Sequence, residues 1–151
     1  MSPNLKAFLD TIAYSEGTDN GQQTTSNHGY DVIVGGDNFR DFSDHPRKLV
    51  WLKPGLASTA AGRYQLLSRY WNVYKDQLKL PDFGPDSQDA VAIQQIKECK
   101  ALDYIEGGYV EEAIRRCSHI WASLPGAGYG QHENSMAALV DYYKKHGGTV
   151  A

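Results

Sequence analysis

The sequence predicts an α+β protein that is mostly helical and carries one small β-hairpin next to its first helix. Apolar residues recur at helical spacing in the first 17 residues and again over most of the chain after residue 58. A segment rich in β-branched residues, 30–34 (YDVIV), is followed by Gly35-Gly36, a pair typical of hairpin turns. With 151 residues the chain can bury one sizeable core, so we expect a single domain over residues 1–151.

The first predicted helix covers residues 5–17 (LKAFLDTIAYSEG). Its apolar face has the i, i+3, i+4, i+7 spacing of a helix and consists of Leu5, Phe8, Leu9 and Ile12. Ser2 and Pro3 supply an N-cap and a first-turn proline, and Gly17 suits the position just after the last turn.

Glu16 lies on this apolar face, four residues after Ile12, in the last turn of the helix. A carboxylate there is partly desolvated and close to the negative end of the helix dipole, and both effects raise its pKa. An acid that keeps its proton near neutral pH can deliver that proton to a substrate. The alternative interpretation is a frayed last turn with Glu16 in solvent, and position alone leaves it open.

The predicted hairpin consists of residues 30–34 and a returning strand through Phe39 and Phe42, with Asp31 in its first arm. Residues 43–57 are predicted to form a loop with turns at Pro46 and at Pro54-Gly55.

Helical spacing continues after the hairpin, in apolar stripes over residues 64–78, 90–96, 110–117 and 136–143. Ser68 is a candidate cap for the first of these helices, and Pro85 opens the second. Gly107-Gly108 separates the second helix from the third, and the final helix is expected to end at residues 147–148.

Composition and charge exclude several functions. Hydrophobic residues make up 41% and charged residues 22% of the chain, which is typical of a globular protein. The net charge of −3 and the lack of a basic run argue against nucleic acid as a partner. No apolar run is long enough to span a membrane, and the first residues (MSPNLKAFLD) do not resemble a signal peptide, so we expect synthesis in a cytoplasm without membrane insertion.

Metal, cofactor and thiol chemistry are not predicted. The histidines are scattered, and His132-Glu133 lacks the second histidine of a zinc-peptidase helix. Cys99 and Cys117 do not form a C-x-x-C pair and are expected to be reduced, buried thiols. His119 is two residues from Cys117, which is weak support for a nucleophilic cysteine.

Six segments closely resemble the phage endolysins of the lambda type, in the same order and spacing over nearly the whole chain. They are SEGTDNG (15–21), NHGYDVIVGG (27–36), DHPRKLV (44–50), AGRYQLLSR (61–69), SQDAVA (87–92) and IWASLPGAGYGQ (120–131). The resemblance implies a lysozyme-like fold and a lytic transglycosylase that acts on peptidoglycan. Such an enzyme cuts the β-1,4 bond after N-acetylmuramic acid and leaves a 1,6-anhydromuramyl end.

The resemblance also implies roles for particular residues. The acid of the S-E-G-T segment is Glu16, which is therefore the predicted catalytic acid. Arg63, Tyr64 and Gln65 stand in GRYQ, which is similar to the G-L-M-Q motif of goose-type lysozymes, and are predicted to bind substrate. Gln65 offers a donor and an acceptor to an acetamido group. Tyr64 also continues a helix stripe, so a core position is its alternative.

Three further residues are predicted to contact the glycan. Tyr129 lies in the glycine-rich segment GAGYG, where its ring can pack on a sugar and its hydroxyl can form a hydrogen bond. Gln131 follows in the same segment. Asp31 has two open interpretations, substrate binding or hydrogen bonding within the hairpin.

Two other functions remain open at this stage. A hydrolytic muramidase on the same fold usually needs two carboxylates, and Asp31 is the obvious second one. A non-catalytic domain that binds wall glycan would not need an acid like Glu16. As cellular context, the resemblance implies a monomer that accumulates in the host cytoplasm, requires a holin for export, and acts on peptidoglycan strands in the periplasm.

Overall fold

The structure is a computed structural model that describes residues 1–128 and 132–151. The chain forms two compact units, one of residues 1–16 with 92–151 and one of residues 17–91. The expected single domain over residues 1–151 stays a prediction. Among the described residues, no helix is long and apolar enough to cross a membrane.

The first unit is helical. It contains α1 (Pro3–Glu16), α4 (Leu102–Glu106), α5 (Val110–Cys117), α6 (Met136–Lys145) and the second half of α3 (Pro85–Glu98). Helix α1 packs against α4 and α6, and α5 packs against the same two helices. Several large side chains of this unit are fully buried, among them Phe8, Ile12, Ile105, Ile114, Leu139 and Tyr143.

Helix α1 forms as its sequence predicts. The Ser2 hydroxyl accepts a hydrogen bond from the backbone N–H of Leu5 at 3.1 Å, which satisfies one of the free donors of the first turn. The four apolar residues of the predicted face are at most 7% exposed. Burying a side chain of the size of Phe8 contributes roughly 1.5–3 kcal/mol, so the amphipathic face is what anchors this helix.

The chain end is held within the same unit by side chains of α1 and α6. Asn4 accepts a hydrogen bond from the backbone N–H of Thr149 at 3.0 Å, and the Tyr143 hydroxyl donates to the Thr149 carbonyl oxygen at 3.0 Å. Gly148 lies so close to Tyr143 that a β-carbon at this position would overlap the tyrosine ring.

The second unit contains β1 (Val50–Lys53), β2 (Leu56–Ser58), α2 (Ser68–Leu78) and the first half of α3. Its core is a cluster of buried side chains: Ala61, Leu66, Trp71, Phe83 and Val91. The rings of Trp71 and Phe83 pack edge to face at 4.9 Å between centroids, which joins α2 to the loop before α3.

The α+β class is confirmed, and the hairpin predicted at residues 30–42 is present only as a short bridge. Val32 pairs antiparallel with Asn38, and the Phe39 backbone N–H donates to the Asp31 carbonyl oxygen at 2.8 Å, but the two-stranded sheet lies elsewhere in the chain. The two antiparallel strands β1 and β2 lie within the segment 43–57 and its flank, which were predicted to be loop, and they meet at the predicted Pro54-Gly55 turn. Residues 30–34 instead form single bridges, because Ile33 bonds to Asp37 on one side while Val34 bonds to Ala60 on the other. The backbone N–H groups of residues 33 and 34 therefore bond to two different segments, and no continuous strand pair forms.

Helix boundaries also differ in detail from the predictions. Ser68 is the first residue of α2 rather than its cap, and Tyr64 lies before the helix. The helix predicted to run from Pro85 to Gly107-Gly108 is two helices, because α3 ends at Glu98 and a turn at Lys100 with φ 55° precedes α4. Pro85 does open α3, as predicted.

Candidate active site

Glu16 is the last residue of α1, and Gly17 ends the helix with a φ of 80°. That left-handed conformation is one that glycine adopts without strain. Residues 7–13 of α1 and Ser15 are buried, and Glu16 itself is partly buried. The structure therefore places Glu16 on the apolar side of an ordered last turn, as its spacing predicts, and not in a frayed end.

Ser123 holds the carboxyl group of Glu16. The Ser123 hydroxyl donates a hydrogen bond to Glu16 Oε2, and the Ser123 backbone also bonds to the carboxyl group. Burial raises the pKa of Glu16 from 4.5 to about 7, and the hydrogen bonds from Ser123 act in the opposite direction without cancelling the effect of burial.

Two more side chains lie behind Ser123. Its hydroxyl is 2.8 Å from the hydroxyl of Ser15, the neighbour of Glu16 in α1. The Asn134 side chain donates to the Ser15 hydroxyl and to the Ser15 carbonyl oxygen, both at 3.1 Å. The Asn134 backbone N–H in turn donates to the Ser123 carbonyl oxygen at 2.8 Å, so these residues are tied together twice.

A carboxyl group in this setting can work in either direction. With a pKa near 7, both its neutral and its charged forms are populated at neutral pH. The neutral form donates a proton, and the charged form accepts one, which is the requirement for general acid and general base catalysis by one residue.

In the second unit, Arg63 is at the centre of a buried polar cluster and is 6% exposed. Its guanidinium group donates to the His28 carbonyl oxygen at 2.9 Å, to the Tyr64 hydroxyl at 3.0 Å and to Asp19 at 3.2 Å. Tyr30 is the fifth residue of the cluster, with its ring centroid 5.4 Å from the guanidinium carbon. These contacts join loop 19–30 to the GRYQ segment.

Asp89 in α3 completes this cluster. One of its oxygens accepts hydrogen bonds from the Tyr64 hydroxyl at 2.6 Å and the Tyr30 hydroxyl at 2.8 Å. Burial raises the pKa of Tyr64 well above its ordinary value and, together with the charge of Asp89, raises that of Tyr30 to about 12. Both tyrosines therefore stay protonated and keep donating.

Asp31 and Gln65 have different surroundings. Asp31 is 3% exposed, and its carboxylate accepts hydrogen bonds from the Thr25 hydroxyl and from the Ser26 backbone N–H at 2.9 Å. Gln65 is partly exposed, and its Nε2 donates to the Gly62 carbonyl oxygen at 2.9 Å. Within the described part of the chain, the side-chain oxygen of Gln65 accepts no hydrogen bond.

The structure thus gives most of the predicted site residues definite partners. Arg63 and Tyr64 belong to one buried cluster, and the burial of Tyr64 agrees with its alternative as a core residue. Tyr129 and Gln131 lie outside the described residues. The substrate-binding roles of all of these residues stay predictions.

Sequence reasoning missed the partners of the predicted residues. Ser123 and Asp89 both lie in segments that carry the family resemblance, which was the available signal, but neither has a local pattern that marks it. Asn134 lies outside those segments. Ser123 contacts Glu16 across 107 positions of sequence, which no spacing argument can anticipate.

Fold and candidate site together define a lysozyme-like protein. The structure superposes on a bacteriophage lambda lysozyme complexed with a chitohexasaccharide with a TM-score of 0.99 and 64% sequence identity, over 100% of this chain and 98% of that one. A second structure of lysozyme from bacteriophage lambda gives a TM-score of 0.95 with 62% identity, over the same shares of the two chains.

Sequence comparison names the family. The endolysin family model matches residues 6–150, and the chain belongs to that family. It is 66% identical to the endolysin of Escherichia phage lambda over 145 residues, which are 96% of this chain and 92% of that protein. It is 52% identical to the endolysin of Escherichia phage P2, over 98% of this chain and 95% of that protein.

Proposed function

We propose that this endolysin is a lytic transglycosylase that cleaves the MurNAc-β-1,4-GlcNAc bond of peptidoglycan, with Glu16 as acid and then as base. The observation that carries the proposal is the position of Glu16, whose partly buried carboxyl group has a pKa of about 7 and a donor, Ser123, on one of its oxygens. Such a group can lose and regain a proton at neutral pH without help from a second residue.

In the first half of the reaction, neutral Glu16 gives its proton to the glycosidic oxygen while the bond from that oxygen to C1 of the muramyl residue breaks. The leaving sugar departs with a hydroxyl group. The positive charge that develops at C1 is stabilised by the neighbouring 2-acetamido group of the substrate itself. Glu16 is now a carboxylate, and the hydrogen bonds from Ser123 stabilise its charge.

In the second half, the Glu16 carboxylate takes the proton from the C6 hydroxyl of the same muramyl residue as that oxygen bonds to C1. The product is a 1,6-anhydromuramyl end, and Glu16 is neutral again. No water enters the reaction, so the site needs neither a placed water molecule nor a second carboxylate.

The contacts of Asp31 support this reaction over hydrolysis. A retaining hydrolase needs a second carboxylate as nucleophile about 5–5.5 Å from the acid. Asp31 was the obvious candidate, but it is 3% exposed and accepts hydrogen bonds from Thr25 and Ser26 of its own unit. These hydrogen bonds hold the buried carboxylate within its own loop, so Asp31 is better suited to holding that loop than to attacking a substrate.

The proposed substrate is consistent with the relatives. A lambda lysozyme with which this structure superposes is described as complexed with a chitohexasaccharide, which is a saccharide chain. We propose that Gln65, whose side-chain oxygen has no partner among the described residues, accepts a hydrogen bond from a substrate N–H. Substrate contacts of Asp31, Arg63, Tyr64, Tyr129 and Gln131 remain part of the proposal.

Mass spectrometry of digested peptidoglycan tests the reaction. The transglycosylase products are each one water lighter than the hydrolysis products and carry no reducing muramic end. Glu16→Gln is the matched control, because it keeps the shape of the site and cannot donate the proton. Hydrated, borohydride-reducible muramic ends as the main products would instead identify a hydrolytic muramidase. Release of neither product, with glycan binding retained, would identify a binding domain.

The cellular context follows from the same proposal. We propose that the protein accumulates as a monomer in the host cytoplasm and reaches the periplasm once a phage holin permeabilises the membrane. Expression without a holin should leave cells intact until chloroform is added, at which point they should lyse. Lysis without a holin or chloroform would contradict this dependence.

A further inference from the structure

Three side chains behind Glu16 form a chain of hydrogen bonds that ends on its carboxyl group. Asn134 Nδ2 lies 3.1 Å from Ser15 Oγ, Ser15 Oγ lies 2.8 Å from Ser123 Oγ, and Ser123 Oγ contacts Glu16 Oε2. The distance between the two serine hydroxyls does not show which of them donates. The hydrogen bonds at the two ends of the chain show it.

The direction of the chain is set at its two ends, by a backbone carbonyl group that orients Asn134 and by the Glu16 carboxyl group that takes the Ser123 hydrogen. The same Asn134 Nδ2 is 3.1 Å from the carbonyl oxygen of Ser15, which can only accept a hydrogen bond. The atom facing it must therefore be the NH₂ group of the amide and not its oxygen. It follows that Asn134 also donates to Ser15 Oγ. Because Ser123 directs its single hydrogen to Glu16 Oε2, the contact between the two hydroxyls is a donation from Ser15 to Ser123.

Ser123 is consequently an acceptor on one side and has its single hydrogen left for the other. We propose that Asn134, acting through Ser15, keeps Ser123 as a hydrogen-bond donor to Glu16, and that these three residues position the carboxyl group for both halves of the reaction. The inference rests on the proposed function for the catalytic role of Glu16, but the hydrogen-bond chain itself can be tested without activity.

Two features of the site make this role useful for catalysis. Burial disfavours the charged form of Glu16, and that form must exist between the two proton transfers. A donor fixed toward one oxygen favours the charged form and holds the orientation of the carboxyl group. If Ser123 could rotate its hydrogen toward Ser15, it would neither stabilise the charged form of Glu16 nor hold the orientation of its carboxyl group.

Direct titration of Glu16 by NMR tests the chain. Protein labelled with ¹³C in the glutamate carboxyl groups gives one signal for Glu16, identified by its absence from Glu16→Gln. In Ser123→Ala the midpoint of this titration should rise by roughly one pH unit, the value expected for losing a hydrogen bond to a charged group. Ser123→Thr should return it close to the parent value. Ser118→Ala is the control. The Ser118 hydroxyl donates to the Arg115 carbonyl oxygen in the same unit, so its removal should leave the Glu16 midpoint unchanged.

The role of Asn134 is tested by a double-mutant cycle. Asn134→Ala should raise the Glu16 midpoint by about half as much as Ser123→Ala, because the serine hydrogen is no longer directed. The double variant should match Ser123→Ala alone. Equal shifts from Asn134→Ala with and without Ser123 would show that Asn134 acts independently, and the proposed chain would be wrong. Thermal unfolding of each variant checks that the fold is intact.

The pH profile of wall lysis separates this inference from the proposed function. If both hold, the profile of Ser123→Ala moves upward with the NMR midpoint. A Glu16→Gln variant that still lyses walls would refute the proposed function. The NMR titration would then still test the hydrogen-bond chain by itself. An unchanged Glu16 midpoint in Ser123→Ala would refute the chain, whatever the activity.

Discussion

The pKa of Glu16 makes a quantitative prediction about stability as well as activity. In the unfolded chain this carboxyl group ionises near 4.5, and in the folded protein near 7. Between those values the folded state keeps a proton that the unfolded state has lost. The stability contributed by the neutral acid is therefore complete below pH 4.5 and is lost as the pH rises toward 7. At about 1.4 kcal/mol per pH unit, the loss reaches about 3 kcal/mol.

Glu16→Gln removes this penalty, because the amide is neutral at every pH. Above pH 7 we expect the variant to be more stable than the parent by about 2 kcal/mol, once about 1 kcal/mol is allowed for a poorer hydrogen bond with Ser123. The melting temperature should rise by roughly 4–8 °C. At pH 4 the advantage should disappear. Activity should fall by at least about 10²-fold, since the proton donor is gone.

The measurements are urea unfolding at pH 4, 6 and 8 and a turbidity assay on chloroform-treated Gram-negative cells. Glu133→Gln is the matched control. The backbone N–H groups of Gly128 and Gly126 lower the pKa of Glu133, so its loss should reduce stability at pH 8 and not increase it. The reasoning would be refuted if Glu16→Gln kept the pH dependence of the parent, or more than about a tenth of its activity.

Three further predictions test other parts of the molecule. Tyr129→Ala should lose most lytic activity with little change in melting temperature, whereas a loss of roughly 3–5 kcal/mol of stability would identify Tyr129 as a core residue. Gly148→Ala should cost roughly 1–3 kcal/mol in urea unfolding, because its methyl group would overlap the Tyr143 ring; unchanged stability would contradict that packing. Iodoacetamide should modify Cys99 well before Cys117 in the folded protein, as peptide mass spectrometry would show, because Cys117 is buried and its thiol pKa is raised; equal rates would contradict the burial.

The helices were largely predictable because their signals are local. The cap at Ser2, the proline at the start of α3 and the apolar face of α1 each act within a few residues, and the structure contains all three. The hairpin was not predictable in the same way. Residues 30–34 have strand-forming side chains, but two neighbouring segments bond to their backbone, while the exposed residues 50–58 pair with each other around Pro54-Gly55.

For the site, too, local signals in the sequence were predictive and long-range contacts were not. Helical spacing in the sequence predicted that Glu16 lies on the apolar face of α1, but only the structure showed that the last turn is ordered and not frayed. What only the tertiary structure decided is how strongly that carboxyl group is desolvated and which groups bond to it. Ser123 bonds to it across 107 positions of the chain, and Asn134 bonds across 119 positions to Ser15, which in turn contacts Ser123. A pKa depends on everything within a few ångströms in space, and sequence spacing describes only the neighbours along one helix.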